Sequence, residues 1–144
     1  APRPALAGRD ALRRLLILAR EAGGPLEAAD VVIEPLLPEE FFSGSLESFY
    51  TRLEKYEPVL AEQEESLRAR GLRRRFVASL YREGTLWRAA IRMQEVGVES
   101  PYYWLDGTQN VTVIHSEGAY PLVIKGSGEG ATLAANGIIK DILA

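Results

Sequence analysis

The sequence of 144 residues contains no cysteine, one histidine and one methionine. Without cysteine, disulfide bonds, thiolate nucleophiles and thiolate metal sites are excluded. The single histidine, His115, has no serine or cysteine at a spacing that indicates a catalytic triad. We therefore assign His115 a structural or surface role and predict no metal site.

Long apolar runs are also missing, because no segment approaches the ~18 apolar residues that a membrane-spanning helix requires. The N-terminus shows no secretory signal. We therefore expect a cytoplasmic protein without a membrane partner. The formal net charge is −3, whereas nucleic-acid-binding domains depend on a basic surface, so no nucleic-acid partner is expected.

The composition that is present, with 47% hydrophobic and 26% charged residues, is typical of a globular protein. The length predicts a single domain over residues 1–144. Apolar spacing predicts a helix over residues 9–22 and then a strand that is interrupted near Pro35. Two further helices are expected, one capped by Ser45 and one beginning at Pro58.

Beyond Gly71 the apolar period changes from helical to alternating. The alternation predicts a hairpin over residues 76–93, and two more strands follow at residues 111–115 and 121–125. A last helix is predicted over residues 130–143. Together these elements predict an α+β fold in which one mixed β-sheet is covered by helices on one face.

Glycines 126, 128 and 130 follow a predicted strand and precede the last helix, which is the setting of a dinucleotide-binding fingerprint. A genuine fingerprint begins a strand-helix-strand unit, and the residues after Ala131 are too few to build one. Two interpretations stay open. Gly126, Gly128 and Gly130 either let the backbone approach a cofactor held by another domain, or they form a tight turn.

Three segments resemble the homoserine dehydrogenase family. Residues 121–143 resemble the family's ending, in which a basic residue and Gly-x-Gly-Ala-Gly lead into a Thr-Ala-x-Gly helix. Residues 100–110 resemble the Pro-aromatic-Tyr-x-Leu-x-Gly-x-x-Asn loop that precedes it. Residues 2–21 resemble the family's Pro-Arg-Asp-Asp-Leu-x-Gly-x-Asp-Val-Ala-Arg-Lys helix. The resemblance therefore spans essentially the whole chain.

The resemblance implies a domain of the homoserine dehydrogenase catalytic type, which binds substrate and forms homodimers. Family members interconvert aspartate 4-semialdehyde and homoserine with NAD(P)(H), and an N-terminal Rossmann domain precedes this segment. Some members are fused to an aspartate kinase. Residues 1–144 alone are therefore expected to bind no cofactor productively. We expect the exposed sheet face, with Leu80, Ile91 and Val113 among its residues, to form the dimer interface.

The resemblance also assigns a catalytic position to Asp10 and a cofactor-binding position to the glycine loop, and we expect both to converge on one pocket. The residue four positions later, a candidate proton donor in the family, is a lysine there and Arg14 here. Arginine has a pKa above ~12 and is a poor proton donor. Asp10 and Arg14 lie one helical turn apart, so an ion pair between them is also expected.

Three further positions depart from the family pattern. Pro4 and Ala5 replace an aspartate pair that helps to hold the substrate's ammonium group, and Ala134 replaces a threonine. Two hypotheses follow. The chain belongs to a working dehydrogenase that obtains its proton from another group or an ordered water, or it is a catalytically degenerate dimerisation or regulatory module.

Overall fold

The computed structural model describes residues 2–127 and 131–143, and the chain forms two compact units, Ala1–Glu95 and Val96–Ala144. In chain order the helices and strands of the first unit are α1 (Pro2–Leu6), α2 (Arg9–Glu21), β1 (Val31–Ile33), α3 (Leu46–Ala69), β2 (Arg73–Glu83) and β3 (Leu86–Val96). Those of the second unit are β4 (Gln109–Ile114), β5 (Leu122–Ser127) and α4 (Ala131–Leu143). That residues 1–144 act as one substrate-binding and dimerisation domain stays a prediction.

Helix α2 forms where the apolar spacing predicts it. Leu15 and Ala19 are buried on its inner face, and the helix ends at Glu21 ahead of two glycines. Gly24 then passes close to Trp87, since a β-carbon on Gly24 would lie 2.9 Å from the indole Cδ2. Only a residue without a side chain fits between the end of α2 and this ring.

The first unit contains a mixed three-stranded sheet in the order β1-β3-β2. Strand β1 runs parallel to β3, with Val31 opposite Ala89 and Ile33 opposite Ile91. Strands β2 and β3 are joined by a turn at residues 84–85, as the hairpin prediction requires. The α+β class and a mixed sheet with helices packed on one face are therefore confirmed.

The helices cover the sheet face that carries Ile91. Ile91 is fully buried in a cluster with Leu15, Ala19 and Val31, and Leu80 packs against the same cluster. The assignment of Leu80 and Ile91 to the exposed face was therefore wrong. Alternation places a β-strand's apolar residues on the face that a helix covers, and here α2 covers theirs. The opposite face carries Val32, which is 55% exposed.

Helix α3 is continuous from Leu46 to Ala69 and contains Pro58 in its interior, so the prediction of two separate helices was wrong. Ser45 caps its N-terminus, where the Ser48 amide donates to the Ser45 hydroxyl at 3.1 Å. An interior proline costs about 3 kcal/mol. Apolar residues on one face of α3 pack along the whole helix and offset this cost: Phe49, Leu53, Tyr56, Leu60 and Leu67.

The second unit contains a two-stranded antiparallel sheet of β4 and β5, with Val113 opposite Val123. Among the described residues, the strands thus form two sheets and not the single sheet predicted. No described side chain of this unit after Val96 is buried. Several of its large apolar side chains are exposed instead, including Leu122, Ile124, Ile138, Ile142 and Leu143.

Candidate functional site

The turn between α1 and α2 positions Asp10. Gly8 stands at the N-terminus of α2 with φ of 77°, a left-handed conformation that favours glycine. A β-carbon on Gly8 would lie 3.2 Å from Ile33 and 3.3 Å from Phe76. The turn therefore packs directly on the sheet, and Asp10 follows two residues later in the first turn of α2.

Asp10 is exposed, so its carboxylate is accessible to a ligand. Arg14 is exposed one turn further along. No ion pair joins Asp10 to Arg14 in the described part of the chain, so the expected pair is wrong.

Helix α1 was not predicted, because a helix of five residues gives no periodic signal. Arg3 of α1 donates to the backbone carbonyls of Phe42 and Gly44, the latter at 3.1 Å. Its guanidinium also lies 5.8 Å from the centre of the Phe49 ring. Ala5, where the family pattern has a carboxylate, is exposed on this helix. These contacts of Arg3 were not foreseen from the sequence.

Gly126 lies in β5 opposite Asn110. Its φ is not positive, and a β-carbon there would meet no described atom within 4 Å. Neither backbone conformation nor local packing among the described residues therefore requires glycine at position 126. The residue before it, Lys125, donates from Nζ to the carbonyl of Trp104 at 2.6 Å.

Gly128 and Gly130 lie outside the described residues, and the side chain of Ala134 is likewise not described. Asp10 belongs to the first unit and Gly126 to the second. Their convergence on one pocket stays a prediction.

A groove of about 520 Å³ lies between α3 and the sheet, with Leu67 at its wall. The arginine side chains that line the groove already have partners. Arg70 pairs with Glu95 at 3.3 Å, and Arg74 donates a hydrogen bond to Gln63 at 2.8 Å. A charged ligand would have to displace these contacts, so the groove is not a candidate site for catalysis.

Within residues 2–127 and 131–143, no group of three His, Cys, Asp or Glu side chains is arranged to hold a metal ion. None of the helices formed by these residues is both long and apolar enough to cross a membrane. His115 is exposed just after β4.

Known proteins are similar to this chain in sequence and in structure. The chain is 34% identical to the bifunctional aspartokinase/homoserine dehydrogenase 2 of Escherichia coli over 143 residues, which cover 98% of this chain and 17% of that protein. It is 33% identical to the bifunctional aspartokinase/homoserine dehydrogenase of Haemophilus influenzae, with 99% of this chain and 17% of that protein covered. The chain thus spans about a sixth of the length of these relatives.

Solved structures share the fold. A Candida auris protein of unknown function matches 99% of this chain and 40% of its own with a TM-score of 0.78 and 26% identity. A homoserine dehydrogenase of S. aureus matches 99% of this chain and 31% of its own with a TM-score of 0.70. Because its sequence is only 12% identical, this similarity shows a shared fold and no more. The family model for homoserine dehydrogenase matches residues 1–143, and the chain therefore belongs to the homoserine dehydrogenase family.

Proposed function

We propose that this chain is the substrate-binding and dimerisation part of an NAD(P)-dependent homoserine dehydrogenase. The enzyme would interconvert L-homoserine and L-aspartate 4-semialdehyde in the aspartate pathway to threonine and methionine, in the cytoplasm. The observation that carries this proposal is the family match over residues 1–143, together with an exposed carboxylate at Asp10. We propose no nucleic-acid or membrane partner.

Asp10 would act on the substrate by accepting hydrogen bonds. Its carboxylate stands on a helix that Leu15 and Ala19 anchor in the core, so its position is defined before substrate arrives. An ionised carboxylate binds an ammonium or hydroxyl group through charge-assisted hydrogen bonds. In this role Asp10 orients the carbon that exchanges a hydride.

NAD(P) would supply the hydride acceptor when bound by a nucleotide-binding domain outside this chain. The backbone at Gly126 leaves room for NAD(P) to approach closely, because nothing in the described fold requires glycine there. Gly126 lies within β5 and its φ is not positive, so at this position the described chain does not support the tight-turn interpretation. Gly128 and Gly130 are included in the proposed contact on the resemblance alone.

Arg14 weakens catalysis in this scheme. Homoserine oxidation releases the hydroxyl proton, and the reverse reaction must return one to the alkoxide. A guanidinium polarises a carbonyl but transfers no proton near neutral pH. Arg14 is exposed, so a water molecule next to it can carry the proton instead. The alternative function, a catalytically degenerate dimerisation or regulatory module, is favoured by Arg14 together with the exposed methyl group of Ala5.

A graft tests the two functions. Residues 1–143 replace the matching segment of the E. coli bifunctional enzyme, and NAD(P)H formation is measured with homoserine as substrate. The aspartokinase activity of the same polypeptide reports whether the graft is intact. Activity that disappears in an Asp10→Asn graft supports the dehydrogenase. An intact graft with no activity above a buffer blank would establish the degenerate module.

Homodimerisation is the second part of the proposal. The sheet face opposite the helices exposes Val32, Tyr81 and Leu86, which are 55%, 49% and 54% accessible. Two-fold contacts between identical faces are the commonest arrangement among soluble oligomers. Sedimentation velocity of the chain should show a dimer, and Val32→Glu should shift it towards monomer. A monomer at the highest soluble concentration would contradict this part.

A further inference from the structure

No side chain of the described residues caps the first turn of α2. Gly8 occupies the capping position and has no side-chain acceptor for the free amides of the turn. The hydrogen bond from the Leu12 amide to the Gly8 carbonyl, at 2.8 Å, closes the turn that carries Asp10. The placement of Asp10 therefore depends on where the backbone of Gly8 is held.

Gly8 is held through α1. The Gly8 amide donates to the Ala5 carbonyl at 3.0 Å, and the Ala7 amide donates to the Arg3 carbonyl at 2.9 Å. Together with the peptide bonds of residues 3–8, these hydrogen bonds link Arg3 to the turn that carries Asp10. Helix α1 has only five residues, too few to be stable without contacts to the rest of the fold.

Arg3 supplies the side-chain hydrogen bonds that hold α1, next to the bond from the Leu36 amide to the Leu6 carbonyl at 3.4 Å and the packing of Leu6 on the cluster around Phe49. The side chain is half-buried and donates to two carbonyls of the segment that precedes α3, those of Phe42 and Gly44. Its guanidinium packs near the ring of Phe49, which is fully buried. Hydrogen bonds from a charged donor are about twice as strong as neutral ones, and a planar guanidinium reaches two acceptors at once.

We propose that Arg3 is a positioning residue for Asp10, acting through α1 and Gly8 without touching substrate. The inference rests on the proposed function for the role of Asp10, whereas the structural coupling between Arg3 and the first turn of α2 does not. Arg3 would fix the substrate-facing carboxylate in one place, so that binding does not have to order it.

Arg52 provides a matched control. It lies on α3 and donates to the carbonyls of Glu40 and Ser43, in the same segment that Arg3 contacts. Removing Arg52 loosens this segment but leaves α1 attached to it through Arg3. Arg3→Ala and Arg52→Ala thus remove the same type of side chain, and only the first removes the side-chain hydrogen bonds of α1, so that α1 keeps only its contacts through Leu6.

Hydrogen exchange in this chain is the direct test. Arg3→Ala should speed exchange of the Leu12 amide by about tenfold or more, as the loss of a charge-assisted hydrogen bond predicts. Arg3→Lys keeps the charge but reaches one carbonyl at a time, so an intermediate rate is expected. Arg52→Ala should leave Leu12 unchanged. Equal rates at Leu12 in wild type and Arg3→Ala, or equal acceleration by Arg52→Ala, would overturn the proposal.

Kinetics in the E. coli graft give a readout that general loosening would not produce. Arg3→Ala should raise the KM for homoserine by about tenfold with a smaller change in kcat. Arg3→Lys should raise the KM less than Arg3→Ala does. Arg52→Ala should leave KM and kcat unchanged. A graft that is inactive with Arg3 intact contradicts the proposed function and not the coupling, which hydrogen exchange decides alone. An active graft whose KM is the same with and without Arg3 overturns the positioning role.

Discussion

Gly8 lies so close to Ile33 that a β-carbon on residue 8 would stand 3.2 Å from the Ile33 Cγ2. This contact joins the α1–α2 turn to the end of β1. Two physical demands thus meet at Gly8, namely a left-handed backbone and the absence of a side chain. This contact and the hydrogen bonds of α1 both hold the turn that Asp10 follows.

Gly8→Ala should destabilise the chain by about 2–4 kcal/mol, combining strain in the left-handed backbone with overpacking against Ile33 and Phe76. Gly71→Ala is the control, because Gly71 also has positive φ but no atom of the described residues would lie within 4 Å of its β-carbon. It should cost only about 1–2 kcal/mol. Urea unfolding followed by circular dichroism measures both. Equal losses would show that packing at Gly8 contributes nothing.

Ile91→Ala should cost about 2–5 kcal/mol, because Ile91 is fully buried in the central strand of the first sheet. Ile17→Ala removes the same atoms from a side chain that is 59% exposed on α2, and surface changes are usually within about 0.5 kcal/mol. Equilibrium unfolding of both variants measures the difference. A loss at Ile91 no larger than that at Ile17 would contradict the assignment of Ile91 to the core.

The elements that the sequence predicts well are those with a strong period. Helix α2 and the hairpin of β2 and β3 have one apolar face and a clear turn, so local pattern and final structure agree. The predicted helix boundary at Pro58 was wrong because tertiary packing along α3 offsets the local cost of an interior proline. The face assigned to Ile91 was wrong because apolar residues that alternate along a strand pack on its covered face, and α2 covers the face that carries Ile91.

Part of the candidate site could be predicted from the sequence, and part could not. Asp10 was predicted from the resemblance and lies at the start of α2. Arg3 carried no signal for its role, because its acceptors, the carbonyls of Phe42 and Gly44, are 39 and 41 residues away. Contacts over such separations depend on the fold of the intervening chain, which periodicity does not encode.

Arg88 should affect stability independently of pH near neutrality. A hydrogen bond from Arg88 to Glu83 at 2.8 Å, and the charge of Glu83, raise the pKa of Arg88 above its ordinary value. A raised pKa gives stability that is present below the unfolded-state pKa and is lost only as pH rises through the folded-state pKa. For arginine that loss lies at strongly alkaline pH.

The melting temperatures of wild type and Arg88→Gln should therefore differ by a constant amount from about pH 6 to about pH 9. Because the side chain of Arg88 is 53% exposed, the difference should be small and should shrink as salt screens the pair. Differential scanning fluorimetry at several ionic strengths measures it. A difference that changes with pH in this window would mean that another group controls it.

Arg14→Lys should raise dehydrogenase activity in the E. coli graft. A lysine at this position restores a group that can donate and accept a proton, and positioned proton transfer contributes typically about 10²–10⁴-fold to rate. Arg14 is exposed one turn after Asp10 and has no ion pair to lose with it, so the change should leave the fold intact. Homoserine-dependent NAD(P)H formation measures the effect.

Arg13→Lys is the matched control, because Arg13 is exposed on the same helix, one residue away. It makes the same chemical change on a different side of α2, since adjacent residues of a helix do not share a face. If Arg14→Lys and Arg13→Lys change kcat equally, proton transfer at position 14 is not what limits the graft. If neither change raises kcat, the lack of carboxylates at Pro4 and Ala5 limits substrate binding first. Ala5→Asp combined with Arg14→Lys should then raise kcat/KM more than either change alone.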